Sequence, residues 1–218
     1  MRFTRGWRLV AGVVLCLAVA LEAGLAGMAR AATVVVPPRP GQVGIGGGAL
    51  YSLMLKNGDF GEAFDGGAAG YVRLRYRMRY ERGFGLTFEA HSYDPRPGHV
   101  FVDPVEGPLA ADSPYYPKRM NLYLYGVDFY QMFGTRTRTT RMLSVGAGIA
   151  HPTRTLNDGE MEYTGGDGLY AGVGAGVERF LWQSWAWDLG ARYNAIFHEG
   201  KTNHDFQVHA GIIFYASL

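Results

Sequence analysis

Cysteine is almost absent from this sequence. The single cysteine among 218 residues, Cys16, lies inside an apolar run near the N-terminus. If that run is removed during export, the remaining chain has no thiol, which excludes disulfide bonds and thiolate chemistry. Lipid attachment at Cys16 is disfavoured as well, because Leu15 stands where lipidation signals have a small residue.

Long apolar runs are also lacking. The longest, residues 9–21, ends at Glu22 and falls short of the ~20 residues of a membrane-spanning helix, which disfavours a retained anchor. A small-x-small site follows at 29–31. We therefore expect residues 1–31 to be a cleaved secretory signal peptide of the Sec pathway and residues 32–41 to be a short periplasmic segment. Three arginines supply the positive start of that signal: Arg2, Arg5 and Arg8.

A strong excess of charge is lacking too. The whole chain has a formal net charge of +2, but the expected signal peptide contains four arginines and one glutamate. Its removal leaves 17 basic and 18 acidic residues, a net charge of −1. This balance gives no support for a nucleic-acid partner.

What the sequence does have is an alternation of apolar and polar residues. In the segment 71–80, apolar residues alternate with arginines, and alternate side chains of a strand point to opposite faces. One face would carry Arg73, Arg75, Arg77 and Arg79, and the other face would be apolar. The same period of two recurs in eight segments bounded by turn residues: about 42–55, 71–80, 83–93, 119–133, 141–151, 168–181, 184–198 and 205–218.

The direction of the apolar face decides between two kinds of barrel. A soluble ligand-binding barrel would turn it inward. The polar face is rich in glycine, however, which leaves room for arginines inside a narrow barrel, and aromatic residues lie near the segment ends as in membrane barrels. We therefore expect an all-β fold, a closed antiparallel up-and-down transmembrane β-barrel over residues 42–218. The expected outer connections are 56–67, 94–118, 152–166 and 199–204, and the inner ones are 81–83, 134–140 and 182–184.

The C-terminus carries a family resemblance. The segment His209-Ala-Gly-Ile-Ile-Phe-Tyr-Ala216 resembles the C-terminal assembly signal of bacterial outer-membrane barrels, although Ala216 and Leu218 stand where aromatic residues are usual. The chain as a whole resembles the small eight-stranded barrels of the outer-membrane protein A, X and W type. The resemblance implies an outer-membrane location, contact with lipid and lipopolysaccharide, and passage through periplasmic chaperones and the barrel-assembly machinery.

The predicted polar face defines the candidate site. Eight strands leave an interior just wide enough to be filled by side chains, and buried charges must be paired. We expect a lumen network that plugs the barrel; a narrow passage for small anions lined by the arginines is the alternative. The expected members are Arg73, Arg75, Arg77, Arg79, Glu89, Asp128, Glu178, Asp188 and Arg192.

No pattern predicts a catalytic site, a metal site or a cofactor. A lipid A-modifying barrel enzyme is a remote alternative that would use His198 or His204, expected at the outer end of the seventh strand and in the loop after it. The serine that lipid A deacylases have two residues after histidine is missing after His198. The long loop 94–118 is a possible contact surface. The sequence therefore predicts a structural or surface-contact role.

Overall fold

The fold is described from a computed structural model, which places residues 40–79, 81–103, 107–163 and 166–216. The expected signal peptide, most of the segment 32–41 and Leu218 lie outside these residues.

The described chain is almost entirely antiparallel sheet. Its strands are β1 (Val43–Met54), β2 (Phe64–Arg79), β3 (Arg82–Pro95), β4 (Val102–Asp103), β5 (Gly107–Pro108), β6 (Pro117–Phe133), β7 (Thr139–Leu156), β8 (Met161–Tyr163), β9 (Gly168–Phe180), β10 (Trp185–His198) and β11 (Lys201–Ala216). Eight of them are long and pair in the order β1, β2, β3, β6, β7, β9, β10, β11. β11 pairs back onto β1, with Val43 opposite Ala216, so the sheet closes. The predicted eight-stranded barrel is confirmed.

The alternation in sequence determines the two faces of the wall. In β2, Val72 is 53% exposed whereas Arg75 is fully buried. Apolar side chains of the other long strands point outward in the same way, among them Ile45, Leu86, Val127, Val145, Val173 and Trp187. A closed wall with an apolar outside and a charged inside suits lipid surroundings, because the pairing of β11 with β1 leaves none of the eight long strands as an open edge of the sheet. The soluble-barrel alternative is therefore excluded.

Arg79 was expected inside the barrel, and this was wrong. The pairing of β2 with β3 shifts register between Arg77 and Arg79, so that Met78 and Arg79 together face Arg82. Such a bulge inserts one extra residue and breaks the alternation. Arg79 consequently lies exposed on the outer wall together with Met78.

Three of the four connections at one end of the barrel are long, whereas all three at the other end are short, which identifies the second end as periplasmic. The first long connection contains the helix α1 (Gly58–Ala63), the second contains the β4–β5 hairpin, and the third contains β8, which extends β7. The predicted outer loop 199–204 was wrong. β10 and β11 are joined by Glu199 and Gly200 alone, both with positive φ (49° and 75°), as a tight two-residue hairpin turn requires.

No helix in the described part of the chain is long and apolar enough to cross a bilayer.

Candidate functional site

The barrel interior contains a layer of ion pairs near the periplasmic end. Glu178 on β9 accepts hydrogen bonds from Arg75 and Arg77 on β2 and from the hydroxyl of Tyr215 on β11. The two guanidinium groups also lie over aromatic rings, Arg75 over Tyr130 at 4.4 Å and Arg77 over Tyr215 at 4.8 Å. Glu178 thus joins strands from opposite parts of the wall.

A second set of pairs lies next to this layer, towards the middle of the barrel. Arg73 Nη1 donates to Asp188 Oδ2 at 3.1 Å, and the same carboxylate oxygen lies 3.5 Å from Arg75 Nη2. Across the interior, Asp128 Oδ1 lies 2.7 Å from Arg192 Nη1. The three buried arginines of β2, Arg73, Arg75 and Arg77, are therefore paired with carboxylates from β9 and β10, and the interior wall is not of one sign.

A polar chain continues from these pairs towards the outer end. Gln207 Nε2 donates to Glu89 Oε2 at 3.0 Å and to Asp205 Oδ2 at 3.1 Å. His91 Nε2 lies 3.1 Å from Glu89 Oε2, and Ser52 Oγ lies 2.8 Å from His91 Nδ1. All five side chains are buried. The network therefore extends well beyond the charged residues themselves.

Glycines provide the space that the network occupies. A Cβ on Gly172 would lie 2.7 Å from Arg192 Nε, and one on Gly146 would lie 2.6 Å from Arg192 Nη2 and would clash with the Asp128 carboxylate. A Cβ on Gly211 would likewise meet the hydroxyl of Tyr71. The glycine-rich inner face is thus the counterpart of large polar side chains opposite.

An apolar cluster lies beyond this polar chain, at the outer end of the interior. The cluster contains Met54, Phe60, Ala63, Phe64, Tyr93, Phe101, Met120, Leu122, Leu124, Ala150, Tyr170 and Ile196. Phe60 enters it from α1, whose backbone is held because Asn203 Oδ1 accepts a hydrogen bond from the Phe60 N–H at 2.8 Å. We call this set the outer apolar cluster. It lies above the polar network and below the outer loops.

The structure brings eight of the nine predicted lumen residues together, all of them buried. The exception is Arg79, for the reason given above. Sequence reasoning missed Asp205, which is buried beside Gln207. It also missed the outer apolar cluster. Leu122 and Leu124 lie on the same face of β6 as Asp128, so the alternation along this strand could have predicted that both leucines point inward.

The two histidines of the enzyme alternative lie apart. His198 faces inward, where its Nε2 bonds to the Gly166 carbonyl oxygen at 2.9 Å and its ring lies 5.1 Å from that of Phe60. His204 was expected in a loop, but it lies within β11 and bonds to the hydroxyl of Tyr193. Both side chains therefore have local bonding partners at different places in the wall.

The second outer connection is fixed to the rest of the outer end. Arg96 Nη2 donates to the carbonyl oxygens of Met54 and Phe64, at 3.1 and 3.0 Å. Asn157 in the third connection donates to the carbonyls of Ala111 and Ser113, each at 2.9 Å. On this anchored base, the exposed large apolar side chains among the described residues include Val100, Val102 and Tyr115.

Comparison with known proteins finds this architecture in solved structures. Neisserial surface protein A is 15% identical, with a TM-score of 0.53 over 79% of this chain and 95% of that one. OprG of Pseudomonas aeruginosa is 12% identical, with a TM-score of 0.52 over 84% and 99%, and AlkL is 11% identical, with 0.50 over 86% and 95%. No family model and no curated protein matches the sequence. The chain has the fold of the small eight-stranded outer-membrane β-barrels, and its apolar outer wall makes it an integral protein of that membrane.

Proposed function

We propose that this protein is a closed, non-conducting barrel with a structural or surface-contact role carried by its outer loops. The observation that carries the proposal is the filling of the interior by two different layers. The polar network extends from the periplasmic end past the middle of the barrel, and the outer apolar cluster lies above it. An ion would have to displace paired charges and then cross an apolar layer, and both steps are unfavourable.

The charge balance weighs against the alternative of an anion passage. The buried arginines of the lumen are Arg73, Arg75, Arg77 and Arg192, and the buried carboxylates are Glu89, Asp128, Glu178, Asp188 and Asp205. Carboxylates thus outnumber arginines by one, so the interior does not attract anions as a one-signed wall would. A cavity of about 20 Å³ lies among Arg73, Arg75, Tyr130 and Arg192. A volume of this size holds about one water molecule.

A non-enzymatic role is part of the proposal. Ser52, His91 and Glu89 form a hydrogen-bonded chain in the order of a nucleophile, a base and an orienting carboxylate. Each of these side chains is at most 2% exposed, and the chain lies beneath the outer apolar cluster. A substrate would have no access to the serine, so the trio is better explained as interior hydrogen bonding.

The outer end offers a surface for contacts. The second and third connections are tied to each other through Asn157 and to the barrel rim through Arg96. Val100, Val102 and Tyr115 are between 55% and 65% exposed on this ordered base. Apolar side chains exposed on an ordered surface favour recognition of another molecule.

Single-channel recording in a planar bilayer tests the proposal. We expect no discrete openings from the refolded chain, and none from the variant Arg75→Ala/Arg77→Ala, because the outer apolar cluster remains in place. The folded state is checked for both proteins by their mobility in SDS gels before and after heating. Anion-preferring openings in the unmodified protein that change in the double variant would overturn the proposal in favour of a passage.

A further inference from the structure

The periplasmic end of the barrel carries a group of basic side chains in addition to those of the lumen network. Glu81 is the only acidic residue in the described turns at this end. Exposed or half-buried guanidinium groups are grouped here on β2, β3, β7, β9 and the β6–β7 turn. We call them the arginine collar: Arg79, Arg82, Arg136, Arg138, Arg141 and Arg179.

Several members of the collar point along the outer wall and not into the periplasm. Arg82 lies on the same face of β3 as the exposed Phe84, and Arg141 lies on the same face of β7 as the exposed Leu143. Inward-facing neighbours such as Gly83 and Met142 alternate with them and are buried. The collar therefore belongs in part to the surface that meets lipid.

The depth of the collar is marked by aromatic rings. Phe133 is opposite Arg141 in the β6–β7 pairing, and Trp187 is opposite Arg179 in the β9–β10 pairing. Phe133 is 48% exposed and Trp187 is 50% exposed. Exposed aromatic rings in membrane barrels lie at the boundary between hydrocarbon and headgroups. Guanidinium groups in the same row can extend to the phosphates of the headgroups.

One pair within the collar would be stabilised by an anion. Arg79 is directly opposite Arg82 across the β2–β3 ladder. Like charges in directly opposite positions destabilise a sheet. A phosphate between the two guanidinium groups would offset the repulsion and accept their hydrogen bonds, since arginine binds phosphate through its planar fork.

From these observations, we propose that the arginine collar binds the phosphate headgroups of anionic phospholipids in the periplasmic leaflet of the membrane. A lipid is favoured over a soluble polyanion because Arg82 and Arg141 lie on the lipid-facing wall. The site recruits anionic lipid on the β2–β3 and β6–β7–β9 side of the barrel. It does so whether or not the lumen conducts.

Lipid selectivity of the reconstituted barrel tests this assignment. The refolded protein is placed in phosphatidylcholine vesicles with spin-labelled phosphatidylglycerol or spin-labelled phosphatidylcholine, and the fraction of immobilised label is measured by electron spin resonance. We expect phosphatidylglycerol to associate at least about threefold more strongly, given the attraction per basic residue at a membrane surface. The variant Arg82→Gln/Arg141→Gln should lose most of that preference.

The matched control is Lys118→Gln/Arg119→Gln, which removes two exposed positive charges at the outer end of β6. It should keep the preference. Equal selectivity in all three proteins, or an equal loss in the control, would overturn the proposal. Inorganic phosphate added in excess should leave the immobilised fraction unchanged; displacement by phosphate would assign the site to a soluble anion. Folding of each variant is checked by heat-dependent mobility in SDS gels.

Discussion

At the scale of single residues, Glu178 is the acceptor on which the periplasmic layer depends. It is fully buried and receives hydrogen bonds from two arginines and one tyrosine. Removing one partner of a buried ion pair is far more destabilising than replacing the whole pair with apolar residues, because the remaining charge is left without compensation. Two guanidinium groups would lose their common carboxylate together.

We expect Glu178→Gln to lower the free energy of unfolding by about 3 kcal/mol, since the side chain keeps its shape but loses its charge. The measurement is urea unfolding in lipid vesicles, followed by tryptophan fluorescence. Trp182, Trp185 and Trp187 are exposed on or beside the wall and report the transition.

The matched control is Glu160→Gln, since Glu160 is exposed in the third outer connection. Its unfolding curve should match that of the unmodified protein. If both variants unfold at the same urea concentration, the periplasmic layer does not depend on the charge of Glu178.

The direction of a side chain could be predicted from the sequence where it depends on its own strand alone. The parity of Arg73, Arg75 and Arg77 follows from the pleat of one strand, so their inward direction was predictable. Arg79 was not predictable, because its direction depends on a bulge whose position is set by the partner strand. The pairing of each arginine with a given carboxylate depends on the register of distant strands, which alternation within a segment does not encode.

At the scale of elements, the second outer connection is held to the barrel by the packing of Phe101. Phe101 is 7% exposed and its ring lies 5.1 Å from that of Tyr116 and 5.7 Å from that of Phe64. The backbone beside it closes the β4–β5 hairpin, with the Leu109 N–H bonded to the Phe101 carbonyl at 2.8 Å. Phe101 therefore fastens a long loop to the barrel mouth.

We expect Phe101→Ala to increase the rate at which proteinase K cleaves this connection in intact cells by at least about tenfold, because truncation of a buried aromatic ring favours local opening. The cleavage is followed by immunoblotting of the membrane fraction. Val102→Ala removes an exposed neighbour and should leave the rate unchanged. Equal rates for the two variants would show that Phe101 does not anchor the loop.

The limits of the elements were harder to predict than their existence. β2 begins at Phe64, seven residues before the predicted segment, because glycine and alanine at its start give no alternation. The predicted loop 199–204 contains Lys201, Asn203 and His204, which resemble loop residues but pair with β10 as part of β11. The positive φ values of Glu199 and Gly200 make so tight a turn possible.

At the scale of the whole molecule, the interior consists of two layers with different chemistry. The contacts described for Glu178 involve Arg75, Arg77 and Tyr215, whereas Phe60 contacts His198 and Asn203 near the opposite end. No residue is shared between these two sets of contacts. Changes at Glu178 and at Phe60 should therefore have independent effects on the free energy of unfolding.

We expect Phe60→Ala to lower the free energy of unfolding by about 3 kcal/mol, as for other buried phenylalanines. Combined with Glu178→Gln, the losses should add to within about 0.5 kcal/mol, because distant sites without common partners are additive. Urea unfolding of the two single variants and the double variant measures this. Glu62→Ala, at an exposed position of α1, is the control for Phe60.

A clear departure from additivity, in either direction, would mean that the polar network and the outer apolar cluster are energetically coupled through the wall.

The pairing of β1 with β11 affects how the chain reaches its final state. This pairing joins Val43 to Ala216 and is the least local in the sheet, whereas β10 and β11 are linked through two residues. Hairpins between neighbouring strands can form early in folding. Pairing of the two distant strands carries the largest loss of chain entropy and should come late. Until then β1 and β11 are open edges with unpaired amide groups, which makes the half-formed sheet prone to pairing with other chains. The rate of ring closure therefore governs the competition between productive folding and aggregation.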